Sequence, residues 1–222
     1  MGAATVSGVV LDPALRPRLR GWSHLFAAIV AACAGVALVA SAHGGDARLA
    51  CLVYALSVVG LFSVSATYHR IAWRSPRARQ WMKRLDHSMI FVLIAGTYTP
   101  FAILVLHGWL STAIGITVWA GALAGIVMNI AWVDAPRWVV AGVYVALGWV
   151  AVAAFPQLAD ALGVGGVSLV AAGGVLYTVG AVVYARQRPD PVPDVFGYHE
   201  VFHALVIAAA ALHFAVVAFW VL

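Results

Sequence analysis

Long runs of apolar residues dominate the chain, and each is long enough to form a helix that crosses a bilayer. A hydrocarbon core of about 30 Å takes roughly 20 helical residues. Runs of about this length occur at approximately residues 23–42, 50–69, 87–106, 109–131, 137–155, 164–185 and 200–222. The pattern therefore predicts an all-α integral membrane protein, a bundle of seven transmembrane helices.

The composition supports this prediction and leaves no room for a soluble unit. Of 222 residues, 64% are hydrophobic and 9% are charged, whereas about a quarter of the residues of a soluble domain are charged. We therefore predict a single domain over residues 1–222. The segment before Trp22 has no apolar core ahead of a small-residue cleavage site, so the first helix is expected to act as its own targeting signal.

Basic residues are distributed unevenly among the predicted loops. Only Arg48 falls on one side of the threaded chain. The other basic residues all fall on the opposite side, and they are Arg16, Arg18, Arg20, Arg70, Arg74, Arg77, Arg79, Lys83, Arg84, Arg137, Arg186 and Arg188. Because cytoplasmic loops carry the excess of positive charge, we expect a cytoplasmic N-terminus and an external C-terminus, in the plasma (inner) membrane. No basic stripe is interleaved with aromatic residues outside these helices, so no nucleic-acid partner is predicted.

Four ionisable side chains lie at the predicted cytoplasmic ends of helices. His69 ends the second helix, Asp86 opens the third, and His199 and His203 open the seventh. Such residues are costly in a bilayer and are retained mainly where they pair, bind or react. The i, i+4 spacing puts His199 and His203 on one helix face, where they can grip one metal ion, and His69 can supply a third nitrogen.

Three imidazoles with an open fourth position are typical of a catalytic zinc site, so the sequence predicts a Zn²⁺ cofactor with a water molecule. Asp86 is the candidate general base for that water. Ser65 lies four residues before His69 on the same helix face, where its hydroxyl can steady an oxyanion or hold the Asp86 carboxylate. Structural alternatives are a helix N-cap for Asp86, a bond from Ser65 to a carbonyl one turn back, and a purely interfacial role for His69.

The remaining histidines near this region are assigned weaker roles. His87 points about 100° around the helix from Asp86, which favours interfacial hydrogen bonding. His213 lies about 15 Å deeper than His203 and is interpreted as a core histidine bonded within the bundle. His24 is expected at the membrane interface.

Three segments carry a resemblance to a known family. SVSATYHR, RLDHSMIFVLIAGTYTP and HEVFHALVIAAAALHF resemble the signature segments of the hemolysin III family, which is related to the adiponectin and progestin receptors and similar to the alkaline ceramidases. The likeness runs from RPRLRGWSH to the last helix. It implies a seven-helix fold with the N-terminus inside, zinc ligation by His69, His199 and His203, and a water held near Asp86 and Ser65.

Three functional hypotheses follow. The first is a zinc-dependent hydrolase acting on a lipid amide or ester, with membrane lipids and a lipid-derived substrate as partners. The second is a non-enzymatic protein, either a hemolysin-type membrane-perturbing factor or a zinc-dependent sensor or receptor; the lack of a regular polar stripe argues against a pore. The third is a protease, because His199, Glu200 and His203 match the H-E-x-x-H pattern, but it needs Glu200 beside the open metal position.

Overall fold

The computed structural model describes residues 17–132 and 134–222, and over these ranges the chain folds into α-helices packed side by side. The helices are α1 (Trp22–Ser41), α2 (Gly45–Arg70), α3 (Pro76–Leu104), α4 (Gly108–Ala131), α5 (Arg137–Gly148), α6 (Phe155–Arg186) and α7 (Tyr198–Val216). A 3-10 helix, Trp149–Ala154, joins α5 to α6, and π-helical turns, Val217–Val221, extend α7. The predicted all-helical fold is confirmed for the described residues. Arg16 and the N-terminal segment before it lie outside them.

The outer surface of the bundle is apolar. Large hydrophobic side chains such as Val36, Trp109 and Val164 are mostly exposed, which is expected where lipid rather than water surrounds a protein. Six helical stretches of the described chain are long and apolar enough to cross a membrane, namely Trp22–Ser41, Gly45–Arg70, Pro76–Leu104, Gly108–Ala131, Arg137–Arg186 and Tyr198–Val221. The chain is therefore a multi-pass membrane protein.

The stretch Arg137–Arg186 is not a straight rod. Gly163 has φ 62° and ψ −179°, a conformation that glycine alone adopts readily, and the helix is broken there. Trp149 Nε1 donates to Thr178 Oγ1 over 3.0 Å, although a straight helix would hold these residues about 43 Å apart. The chain therefore reverses at Gly163. The predicted loop before residue 164 is thus helical almost to this point.

Helix α3 begins well before the predicted residue 87. The Ser75 hydroxyl accepts a hydrogen bond from the Ala78 amide at 3.3 Å, and Pro76 occupies the first turn, two features typical of a helix start. The basic segment that was predicted as a loop therefore lies largely on α3. Asp86 lies inside the helix, so its interpretation as an N-cap is wrong.

The starts of α1, α3 and α7 and the ends of α2 and α6 meet at one end of the bundle, which we call the basic end. The Arg18 amide donates to the Asp194 carbonyl over 3.0 Å, so the segment before α1 is bonded to the segment before α7. Short linkers bring the end of α2 next to the start of α3 and the end of α6 close to the start of α7. Side chains that are far apart in sequence meet here.

Candidate metal centre

Three histidines converge at the basic end, His69 from the last turn of α2 and His199 and His203 from the first turns of α7. One possible ligand atom from each lies within 4.8 Å of the others, and the Nε2 atoms of His69 and His199 are 3.1 Å apart. Tetrahedral zinc with Zn–N bonds of about 2.1 Å separates its nitrogens by about 3.4 Å. The spacing of this three-histidine cluster therefore suits a single ion.

The chemistry of the donors also fits zinc. His199 and His203 are buried, and His203 Nδ1 has no hydrogen-bond partner among the described residues. A buried polar atom that lacks a partner costs free energy, and coordination or a bound water would offset that cost. Neutral imidazoles are common zinc ligands, and three of them leave a coordination position open.

Local structure at the start of α7 explains why its two histidines point to one place. Gly197 is the N-cap of the helix, and its amide donates to Glu200 Oε2 over 2.9 Å, so the Glu200 carboxylate closes the first turn of α7. With the helix started at Tyr198, His199 and His203 are one turn apart on the same face.

The approach of α1 to His69 depends on a glycine. Gly21 has φ 77°, and a Cβ added there would lie 2.8 Å from the Cβ of His69. Any larger residue at this position would have to displace the histidine or the start of α1, because real Cβ atoms do not approach so closely. Gly21 thus allows the segment before α1 to pack directly against the cluster.

Asp86 and Ser65 lie beside the cluster, as the sequence predicts. Asp86 Oδ2 is 3.8 Å from His69 Nε2, and the Ser65 hydroxyl is hydrogen-bonded to the Asp86 carboxyl. Both side chains are buried. The structure therefore brings together all five side chains that the sequence singled out, and it joins Ser65 to the carboxylate.

Glu200 has a structural role, because both of its carboxylate oxygens are held by hydrogen bonds. Its Oε1 accepts a hydrogen bond from Nε of Arg20, which belongs to the segment before α1. Its Oε2 accepts a hydrogen bond from the Gly197 amide. Both carboxylate oxygens are thus occupied, and the side chain is 2% exposed. A protease base would have to face the open metal position, so the H-E-x-x-H reading finds no support in this geometry.

His24 is a residue of the site that sequence reasoning missed. The sequence predicted only a position at the membrane interface, whereas the structure buries the side chain inside the bundle, where it is 3% exposed. Its ring stacks on that of His203 with centroids 3.7 Å apart and planes inclined by 8°. The only sequence signal was its position near the start of the first helix on the basic side.

His87 and His213 are hydrogen-bonded within the bundle. His87 Nε2 lies 3.4 Å from the Tyr184 hydroxyl, so it is hydrogen-bonded rather than grouped with the cluster. His213 Nε2 lies 3.1 Å from the Val170 carbonyl oxygen, inside the bundle. Both therefore serve packing and hydrogen bonding in this structure.

The cluster lies where two cavities meet. An apolar cavity of about 250 Å³ runs from it towards the opposite end of the bundle and is lined by residues such as Leu61, Ile94, Phe101, Leu158 and Val206. A polar cavity of about 450 Å³, which we call the vestibule, lies at the basic end and is lined by Arg20, Arg79, Lys83, Asn129, Asp134 and Arg137, among others. The residues that line both are Asp86, His87, Tyr184 and His199. The cluster thus borders an apolar space on one side and a polar space on the other.

Comparison with known proteins finds extended similarity. The family described as Haemolysin-III related matches residues 14–214. Hemolysin-3 from Bacillus cereus is 35% identical over 205 residues, which cover 90% of this chain and 89% of that protein. The Hemolysin-3 homolog of Bacillus subtilis (strain 168) is 33% identical over 168 residues, covering 76% and 75%. Monocyte to macrophage differentiation factor from Homo sapiens is 22% identical over 170 residues, covering 75% and 68%.

Proposed function

Since the chain belongs to the haemolysin-III-related family, we propose that it is a zinc-dependent hydrolase that cleaves an amide or ester bond of a membrane lipid. The observation that carries this proposal is the position of the three-histidine cluster. It lies next to a buried carboxylate, at the junction of an apolar cavity and a polar one. A lipid cut near its polar end needs this combination of surroundings.

The proposed zinc ligands are His69, His199 and His203, whose candidate ligand atoms lie within 4.8 Å of one another and can converge on a single ion. When bound, the ion supplies Lewis acidity, which polarises a carbonyl group and lowers the pKa of a water molecule towards about 7. His24 packs flat against His203 and restricts the orientation of that ring.

Asp86 is the proposed general base. Its Oδ2 accepts the proton of the attacking water and passes it to the leaving amine or alcohol. The 3.8 Å contact with His69 keeps this oxygen next to the cluster. Ser65 donates to the carboxyl and holds its orientation, so Ser65 is a positioning residue rather than a reacting one.

The two cavities divide the proposed substrate into two parts. The apolar cavity accommodates an acyl or alkyl chain that enters from the bilayer, while its lining of Leu, Ile, Val and Phe side chains keeps water away from the bond. The vestibule admits water and polar groups from the basic end. The scissile bond is then placed at the histidines, where the cavities meet.

We also propose the seven-span topology, with the N-terminus in the cytoplasm and the C-terminus outside the plasma membrane. The chain reversal at Gly163 supports two separate crossings within Arg137–Arg186. The concentration of Lys and Arg at the basic end supports its cytoplasmic location, because positive charge resists translocation.

The proposal is tested with purified protein reconstituted in lipid bilayers and incubated with a panel of lipid amides and esters. We expect release of a fatty acid, detected by mass spectrometry, which stops when a chelator removes the metal and resumes when Zn²⁺ is added back. A zinc-loaded protein that is inert towards every lipid of the panel would overturn the hydrolase and favour a sensor or a membrane-perturbing protein.

A further inference from the structure

We infer that the vestibule binds the phosphate of an anionic lipid, so that the preferred lipid carries a phosphate headgroup close to the bond presented to the histidines. The cleavage part of this inference rests on the proposed function, whereas the binding part does not.

The vestibule carries an excess of positive charge without internal partners. Of its basic side chains, Arg20 is paired with Glu200. Arg79, Lys83 and Arg137 form no ion pair within the described part of the chain. The acidic residues of the vestibule are Asp134, which is exposed, and Asp86, which lies at the inner end. Of the three unpaired cations, Arg137 is exposed, whereas Arg79 and Lys83 are half-buried. Cations in a confined, partly dry space favour an anion that offers several acceptor oxygens.

The cations are arranged on two helices around one point. Arg79, Lys83 and Asp86 follow i, i+4, i+7 spacing and therefore share one face of α3. Arg137 begins α5 on another wall, and the charges of Lys83 and Arg137 both act on the His87 ring. A phosphate held beside Lys83 would lie about one helical turn, roughly 5 Å, from the level of Asp86. A few covalent bonds within one lipid molecule are enough to connect a phosphate at Lys83 to a bond at the level of Asp86.

Continuity between the cavities favours a lipid over a soluble phosphate compound. Asp86, His87, Tyr184 and His199 line both spaces, so one molecule can extend from the vestibule through the cluster into the apolar cavity. A soluble phosphate compound would occupy only the vestibule. The phosphate and the hydrocarbon chain of one lipid match both halves at once.

Membrane topology alone does not explain the placement of these cations. The positive-inside rule requires basic residues near the cytoplasmic face but does not require them to line a cavity. Arg74 and Arg77 belong to the same basic segment, yet both are exposed and neither lines the vestibule. Arg79 and Lys83 are half-buried and do line it. The chain thus provides a matched control for the experiment.

The test compares two double variants that each remove two positive charges from one segment, Arg79→Ala with Lys83→Ala, and Arg74→Ala with Arg77→Ala. Binding of dioctanoyl phosphatidic acid to the purified protein in nanodiscs of zwitterionic lipid is measured by native mass spectrometry. We expect the vestibule variant to bind at least tenfold more weakly, because it lacks two charge-assisted contacts to the phosphate. The control variant should stay within about twofold of wild type.

Further arms establish the source of the phosphate and exclude misfolding. Dioctanoyl glycerol, which lacks the phosphate, should bind the wild type and the vestibule variant equally, and inorganic phosphate should compete only weakly. Arg137→Gln, on α5, should weaken phosphatidic acid binding independently, and thermal unfolding identifies any variant that has lost its fold.

Two results would overturn the inference: equal losses in both double variants, which indicate unspecific surface attraction, and competition by inorganic phosphate at the affinity of the lipid, which indicates a soluble ligand. Binding without any hydrolysis would contradict the proposed function alone. If the wild type hydrolyses neutral lipids and the vestibule variant hydrolyses them at the same rate, this inference alone would be contradicted.

Discussion

At the scale of single residues, His203 and His213 form an informative pair because both belong to α7 and only His203 lies in the three-histidine cluster. We expect about one zinc per chain in the wild type and loss of most of it in His203→Ala, since a site with three protein ligands tolerates no missing donor. His69→Ala and His199→Ala should behave alike. Metal content of the purified variants is measured by mass spectrometry. An equal loss in His213→Ala, whose ring is bonded to Val170 instead, would contradict the assignment.

Asp86→Asn isolates the proposed proton transfer from the architecture of the site. The amide has nearly the shape of the carboxyl but cannot take the proton, so we expect zinc to be retained and lipid hydrolysis to fall by about a hundredfold or more. Ser65→Ala should lose less, because it only orients the carboxyl. Glu200→Gln should keep most of the activity, since Glu200 bonds Arg20 and Gly197. A larger loss of activity in Glu200→Gln than in Asp86→Asn would favour the protease hypothesis.

At the scale of helices, the ion pair between Arg20 and Glu200 holds the segment before α1 to the first turn of α7, the turn that carries His199. Arg20→Ala leaves a carboxylate that is 2% exposed without its cation. We expect the free energy of unfolding to fall by about 3 kcal/mol, which is measured by unfolding in detergent micelles. Glu200→Gln should cost less, because the amide keeps hydrogen-bonding capacity and the remaining Arg20 is partly exposed. Wild-type stability in Arg20→Ala would show that the pair contributes little.

At the scale of the whole molecule, the proposed seven-span topology depends on the reversal at Gly163. Reporter fusions after Lys83 and after Arg186 should be cytoplasmic, and fusions after Leu222 should be external, because seven crossings place the two ends of the chain on opposite faces. An epitope tag inserted at Gly163 should be accessible from outside. Cytoplasmic signals after both Lys83 and Leu222 would contradict the seven-span topology.

Local sequence was enough to predict the helical membrane fold, the family and most of the candidate site. Hydropathy acts over about 20 residues, the length of one crossing, so the helices are visible without tertiary information. The i, i+4 spacing that pairs His199 with His203, and Ser65 with His69, follows from the helical repeat alone. Membership of the family that the three segments suggested is confirmed over residues 14–214.

Packing between helices determines the features of the fold and the site that the sequence did not predict. The rotation of α1 about its axis buries His24 against His203, whereas hydropathy reports only how near a residue is to the membrane surface. The partner of Glu200 lies 180 residues away in the chain, and the reversal at Gly163 depends on one backbone conformation within an otherwise helical pattern. Helical periodicity specifies which residues share a face. Which faces meet depends on how side chains of different helices fit together, and that information is not local.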